Sequence, residues 1–146
     1  YLRKYLHMIN FRLKRVAEQL QVRAAHILVR SGLPLHQRWL PLYHFLIQEG
    51  PHAVTDIASS IGLSHPAVLQ FSQEMVEAGL VASYRDPQDR RKRVLALTAA
   101  GKQLKPQFLD YLREADDLMA SFFAGSGIDI DVVLTNIEQS LARRAL

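Results

Sequence analysis

Between Leu80 and Leu97 the chain abandons helical spacing for short β-compatible runs, and this switch limits the folds open to it. Residues 80–85 and 93–97 are the two runs, and Asp86-Pro87-Gln88-Asp89-Arg90-Arg91-Lys92 lies between them. Asp followed by Pro is good type I turn chemistry. The stretch therefore reads as a β-hairpin with a long, basic tip. Immediately before it stand two short helical patterns around a tight turn. The first covers residues 55–61, with Thr55 as its expected N-cap. Gly62-Leu63-Ser64 forms the turn, and Ser64 is placed to cap a second helix over residues 65–78. Pro66 is tolerated in that helix's first turn. Val68, Phe71, Ser72 and Met75 form its inward face, and Gly79 ends it.

The flanks are helical. Leu2, Leu6, Ile9, Leu13, Val16 and Leu20 alternate at spacings of four and three, so residues 2–30 are expected to form one long helix. Gly32 and Pro34 stop it. A second helix is expected over residues 35–49, with Pro41 kinking it or delaying its regular start. After the hairpin, Thr98 is expected to cap a helix over residues 99–124. Its stripe is Leu104, Phe108, Leu112, Leu118 and Phe122, and Pro106 should bend it. Gly125-Ser126-Gly127 breaks the pattern, and residues 129–145 form the last helix. The expected fold class is mainly α: a winged helix-turn-helix, with a small α/β core, inside a three-helix dimerisation region. The winged helix is assigned to residues 36–98, and the dimerisation region to residues 1–35 and 99–146. The outer helices carry apolar stripes that so small a centre cannot cover, and a core shared between two chains is the simplest place for them.

Composition excludes several functions. The chain has 146 residues and no cysteine, so thiol catalysis, thiolate metal sites and cysteine-based redox sensing are absent. No apolar run approaches the roughly 18 residues that span a bilayer. The net charge of +4 is weak evidence by itself, but its partition is informative. Residues 1–31 carry +6, residues 32–81 carry −3, residues 82–105 carry +5 and residues 106–146 carry −4.

A helix fits the major groove of duplex DNA, and residues near its N-terminus reach the base edges. The candidates are Ser64, His65, Pro66, Ala67, Leu69, Gln70 and Gln73. Gln70 and Gln73 have the amide pattern that pairs with adenine, and His65 can donate to a guanine edge or a phosphate. The hairpin adds Arg85, Asp89, Arg90, Arg91, Lys92 and Arg93. Arginine at a hairpin tip gains from the negative potential of a narrow minor groove, and phosphate neutralisation supplies most sequence-independent affinity. Asp89 is suited to hold a neighbouring guanidinium.

The stretch LIQEGPHAVTDIASSIGLSHPAVLQFSQEMVEAGLVASYRDPQDRRKRVLALTAAGK resembles the winged helix of MarR-type transcriptional regulators. Its most specific pieces are AGLV, DPQDRRKRVLALTAAG, and the LT--G that opens the next helix. The helical flanks extend the resemblance over almost the whole chain. It implies a cytoplasmic homodimer clasped by its terminal helices on a pseudo-palindromic operator, commonly as a repressor. It also implies that Arg91, in the D-x-R element Asp89-Arg90-Arg91, enters the minor groove with Asp89 orienting it. RWLPLYHFLIQEGP, GLSHPAVLQ and EMVEAGLVAS further resemble the MarR-like domain of proteins that fuse it to a GNAT acetyltransferase. A stand-alone regulator is the favoured expectation, with the regulatory half of such a fusion and a winged-helix protein-interaction module as alternatives. One departure stands out. Many relatives place Thr and Arg where this chain has Leu69 and Gln70. No Lys or Arg occurs from Ser64 to Gly79, while Glu74 and Glu77 do. The wing is therefore expected to carry more of the phosphate anchoring than the helix.

By the same resemblance a small phenolic or anionic effector is expected, with Arg12, Arg15, Arg38, Trp39, Tyr43 and His44 as candidate contacts. An aromatic cluster near arginine suits an aromatic carboxylate, although Trp39 and Tyr43 at helical spacing also read as core. His36 and His44 are two turns apart, and His7, His26, His52 and His65 are scattered. No spacing supports a zinc site, and no metal or cofactor is expected. There is no Gly-rich phosphate loop and no G-x-S-x-G elbow, and Asp110, Glu114, Asp116 and Asp117 read as a solvated helix face. No enzymatic function is expected.

Overall fold

A computed structural model describes residues 8–144. The chain divides into two compact units, one of residues 28–110 and the other of the segments ending at Ile27 and beginning at Tyr111. Helix α1 (Ile9–Ser31) supplies the start of the first of these. The opening of the expected first helix, residues 2–7, lies outside the described residues, as do His7 and the last two residues. Ser31 closes α1 by donating its hydroxyl to the Leu28 carbonyl and accepting the Leu33 N–H.

Pro41 does not kink a helix that starts at residue 35. Instead a single 3-10 turn, Gln37–Trp39, precedes α2 (Leu40–Glu49), which places Pro41 in its first turn. A first-turn N–H has no helical partner in any case, so proline's missing donor is harmless there. The chain then forms a two-residue strand, β1 (His52–Ala53), absent from the sequence expectation. Pairing holds Ala53 extended, so α3 (Val54–Ile61) begins directly after it, with Ala53 and not Thr55 at the N-cap position. Gly62, with φ +69°, makes the left-handed turn out of α3. Helix α4 (His65–Glu77) follows, and the Ser64 hydroxyl caps it by accepting the Ala67 N–H. Val68, Ser72 and Met75 are buried as expected, whereas Phe71 is only partly so.

Strands β2 (Val81–Arg85) and β3 (Arg93–Leu97) form the hairpin, antiparallel with Ser83 opposite Leu95 and Arg85 opposite Arg93. β1 adds to the other side of β3, giving a three-stranded sheet ordered β1-β3-β2. The core between helices and sheet is made by Leu42, Tyr43, Ile57, Val68, Met75, Leu95 and Phe108, each fully buried.

The LT--G element has a physical reason. Thr98 donates its hydroxyl to the Gly79 carbonyl and accepts the Gly101 N–H, capping α5 (Ala99–Gln103) while tying it to the end of α4. Gly101 lies against the Leu80 carbonyl so closely that any Cβ would collide with it. Tyr43 then donates its hydroxyl to the Gly101 carbonyl at 2.7 Å. The expected single helix 99–124 is two helices, α5 and α6 (Lys105–Ser121). A proline at residue 106 cannot donate to the carbonyl four residues back, and its ring crowds that carbonyl. The helix therefore ends at Gln103, with Leu104 as its cap, and restarts with Pro106 in a first turn. The buried face of α6 is Phe108, Tyr111 and Ala115, while Phe122 is half exposed.

In the other unit, Arg23 of α1 sits over the Phe122 ring at 5.7 Å. Helix α7 (Ile130–Arg143) is capped by Asp129, whose side chain accepts the Asp131 and Val132 N–H groups. No residue of α7 is buried, and Val132, Leu134, Ile137 and Leu141 are exposed on it, as are Ile9, Leu13 and Val16 on α1.

Candidate nucleic-acid interface

Burial of Val68, Ser72 and Met75 orients α4 so that its other residues face outward. Ser64, His65, Pro66, Leu69, Gln70 and Gln73 are exposed and Ala67 is partly so. Between this face and the hairpin runs an open groove of about 460 Å³. His65, Leu69 and Gln73 line one wall, and Arg85, Arg91, Lys92 and Arg93 line the other, with Thr55 and Ser83 at its edges. The structure thus brings together seven of the sequence-derived candidates. Gln70 stands outside the lining, farther round the helix.

The hairpin tip is built by its two aspartates. Asp86 accepts the Gln88 N–H at 2.8 Å, and Asp89 accepts the Arg91 N–H at 3.1 Å. Backbone bonds from Asp86 to the Lys92 carbonyl and from Lys92 to the Asp89 carbonyl close the loop. These Asx turns fix the backbone locally. Asp89 also lies 3.8 Å from the Arg91 guanidinium, whose side chain is 97% exposed. The tip holds its backbone rigidly while leaving the Arg91 charge in water. Arg90 and Lys92 are exposed beside it. Arg85 reaches the Arg90 carbonyl, and Arg93 reaches the Ser83 hydroxyl, both at 3.5 Å.

Glu74 holds a position that spacing did not show. Its Oε2 accepts Arg38 through Nε at 3.0 Å and through a terminal nitrogen at 2.9 Å, and accepts the Trp39 indole N–H at 2.6 Å. Its Oε1 accepts the Gln70 amide at 3.3 Å. The Trp39 and Arg38 hydrogen bonds hold the carboxyl below the usual carboxylate range against the opposing effect of burial. Glu74 therefore clasps α4 to the segment before α2. The only sequence signal was that a buried indole N–H needs an acceptor. Glu77 similarly accepts the Gln73 amide at 3.1 Å.

The residues singled out for an effector divide by environment. Trp39 is buried and its N–H is committed to Glu74, as is the Arg38 fork. Tyr43 is fully buried against the Phe108 ring at 4.8 Å, and burial pushes its hydroxyl up to about 12. His44 is exposed and bonded to Gln48. Arg12 and Arg15 are exposed on α1, in the other unit.

Residues 44–92, from α2 to the hairpin tip, match the model of the MarR family. No curated protein sequence is significantly similar to the chain. Solved structures share its fold over nearly the full length. The PcaV transcriptional regulator from Streptomyces coelicolor, solved with its natural ligand, is 19% identical with a TM-score of 0.73, covering 97% of this chain and 96% of its own. A MarR-family transcriptional regulator from Rhodococcus sp. RHA1 is 22% identical with a TM-score of 0.70, at 97% and 96% coverage. NadR in complex with 4-hydroxyphenylacetate is 21% identical with a TM-score of 0.67, at 93% of each chain.

Proposed function

From the premise that residues 44–92 carry the MarR-family winged helix, we propose that the chain is a sequence-specific DNA-binding transcriptional regulator acting as a homodimer. The observation that carries this reading is the groove formed by the outward face of α4 and the arginine-rich hairpin. In the proposed complex α4 lies in the major groove, with His65, Leu69, Gln70 and Gln73 toward the base edges. The tip sets Arg91 into the flanking minor groove, and Arg85, Arg90, Lys92 and Arg93 neutralise phosphates. Ser64, Pro66 and Ala67 form the helix start that approaches the backbone, and Asp89 positions Arg91. The exposed apolar residues of α1 and α7 favour a second copy of the chain as their cover.

The regulator is proposed to be a repressor released by an aromatic or anionic small molecule. Support comes from the structural neighbours solved with ligands, one of them 4-hydroxyphenylacetate. Of the expected contacts within the unit of residues 28–110, the exposed Arg38 and His44 are the proposed ones, because Trp39 and Tyr43 are buried in its core. A ligand acts only by its different affinity for the DNA-competent and incompetent states.

Titration of labelled duplex DNA across a salt series tests the reading. Several phosphate contacts give a steep fall in log affinity with log salt. A protein-interaction module gives weak binding without that slope.

A further inference from the structure

Gln70 and Gln73 both point outward from α4, and each has a carboxylate one turn later. Gln70 donates to Glu74, and Gln73 donates to Glu77. A primary amide offers a carbonyl oxygen and two N–H groups, while a carboxylate only accepts. The carboxylate therefore fixes which way the amide is turned, since the opposite orientation would set oxygen against oxygen. When the N–H pointing away from the carbonyl is the one engaged along the helix, the carbonyl oxygen and the second N–H are left side by side. That acceptor–donor edge complements the N6 donor and N7 acceptor of adenine. At Gln70 the arrangement is anchored further, because Arg38 and Trp39 occupy the other oxygen of Glu74.

We infer that Glu74 and Glu77 are specificity-determining positioning residues, which turn the amides of Gln70 and Gln73 so that each reads adenine. This rests on the DNA-binding reading above. The acids do not touch the base themselves. Their cost is negative charge near the phosphates, and the arginines of the hairpin compensate for it.

Glu74→Gln gives the sharpest test. Its single carbonyl oxygen is claimed by Arg38 and Trp39, so its amide nitrogen turns toward Gln70 and reverses the Gln70 amide. Selection of bound sequences from random duplexes is run on the wild-type chain, Glu74→Gln and Glu77→Ala. The wild type is expected to select adenine at one position per half-site for each glutamine. Glu74→Gln should lose roughly tenfold or more of that preference at the Gln70 position only. Glu77→Ala, an exposed change outside the core, removes the acceptor and should relax the Gln73 position only. Unchanged adenine preference in both glutamate variants overturns the inference, as does a wild-type motif without adenine at positions sensitive to Gln70→Ala and Gln73→Ala. A wild-type chain that selects no motif overturns the DNA reading itself, and this inference falls with it. Should Glu74→Gln not fold, Glu77→Ala decides the outcome alone.

Discussion

In the proposed complex Arg91 and Gln70 have different tasks, and their substitutions should separate. Arg91 extends from a backbone fixed by Asp89 and keeps its side chain in solvent. Its removal to alanine should lower affinity for every duplex and reduce the salt slope by about one. Gln70→Ala should lower affinity less and act on sequence preference. The reverse ranking in a gel-shift titration would contradict the expectation that the wing carries the phosphate anchoring. Tyr43 is a residue of stability, not of contact. Tyr43→Phe removes the shorter of two bonds to the Gly101 carbonyl, which the Leu104 N–H also reaches at 3.4 Å, at a cost of about 0.5–1.5 kcal/mol. Denaturant unfolding measures this, and a cost near zero would show the bond to be dispensable. Glu74 gives a pH dependence with a definite sign. Its folded carboxyl titrates below the ordinary range, so its contribution is present above that range. It is lost as pH falls through the depressed value. Glu74→Gln should therefore flatten the acid limb of the stability profile, and unfolding curves at neutral and acid pH would detect it.

Among elements, the junction of α4, β2 and α5 is the tightest. A methyl at residue 101 meets the Leu80 carbonyl, and the same glycine donates its N–H to the Thr98 hydroxyl and accepts the Tyr43 hydroxyl on its carbonyl. Gly101→Ala should destabilise the unit by about 1–3 kcal/mol, the range for overpacking, read as a lowered melting midpoint. An unchanged midpoint would mean that the junction yields freely. The helix–turn–helix and the hairpin were legible because their signals are local: a cap at Ser64, a left-handed turn at Gly62, and Asp-Pro chemistry at the tip. Strand β1 was not legible, because its two residues pair with Leu95 and Val94, some forty positions away. Likewise, Pro106 announces a disturbance in a helix, but bend and break differ only in what surrounds it. Thr55 looked like a cap because the strand that starts α3 earlier was invisible. The outward face of α4 followed from periodicity. The clasp of Arg38 and Trp39 on Glu74 did not, since those residues are 36 and 35 positions apart in sequence.

For the molecule as a whole, the exposed aliphatic face of α7 is the feature a lone chain leaves unexplained. A homodimer accounts for it, and light scattering at micromolar concentration should return twice the chain mass. Paired changes of Ile137 and Leu141 to aspartate should give a monomer with much weakened operator affinity. A wild-type monomer that still binds a two-fold symmetric site would separate the fold from the proposed assembly. The partition of charge is coherent at this scale for the hairpin block, whose arginines line the groove beside α4. The most direct measurement is selection of bound sequences from random duplexes by the wild-type chain. The account predicts enrichment of a two-fold symmetric motif whose half-sites lie about one helical turn apart. Recovery of the input distribution, with no enriched sequence, would contradict it.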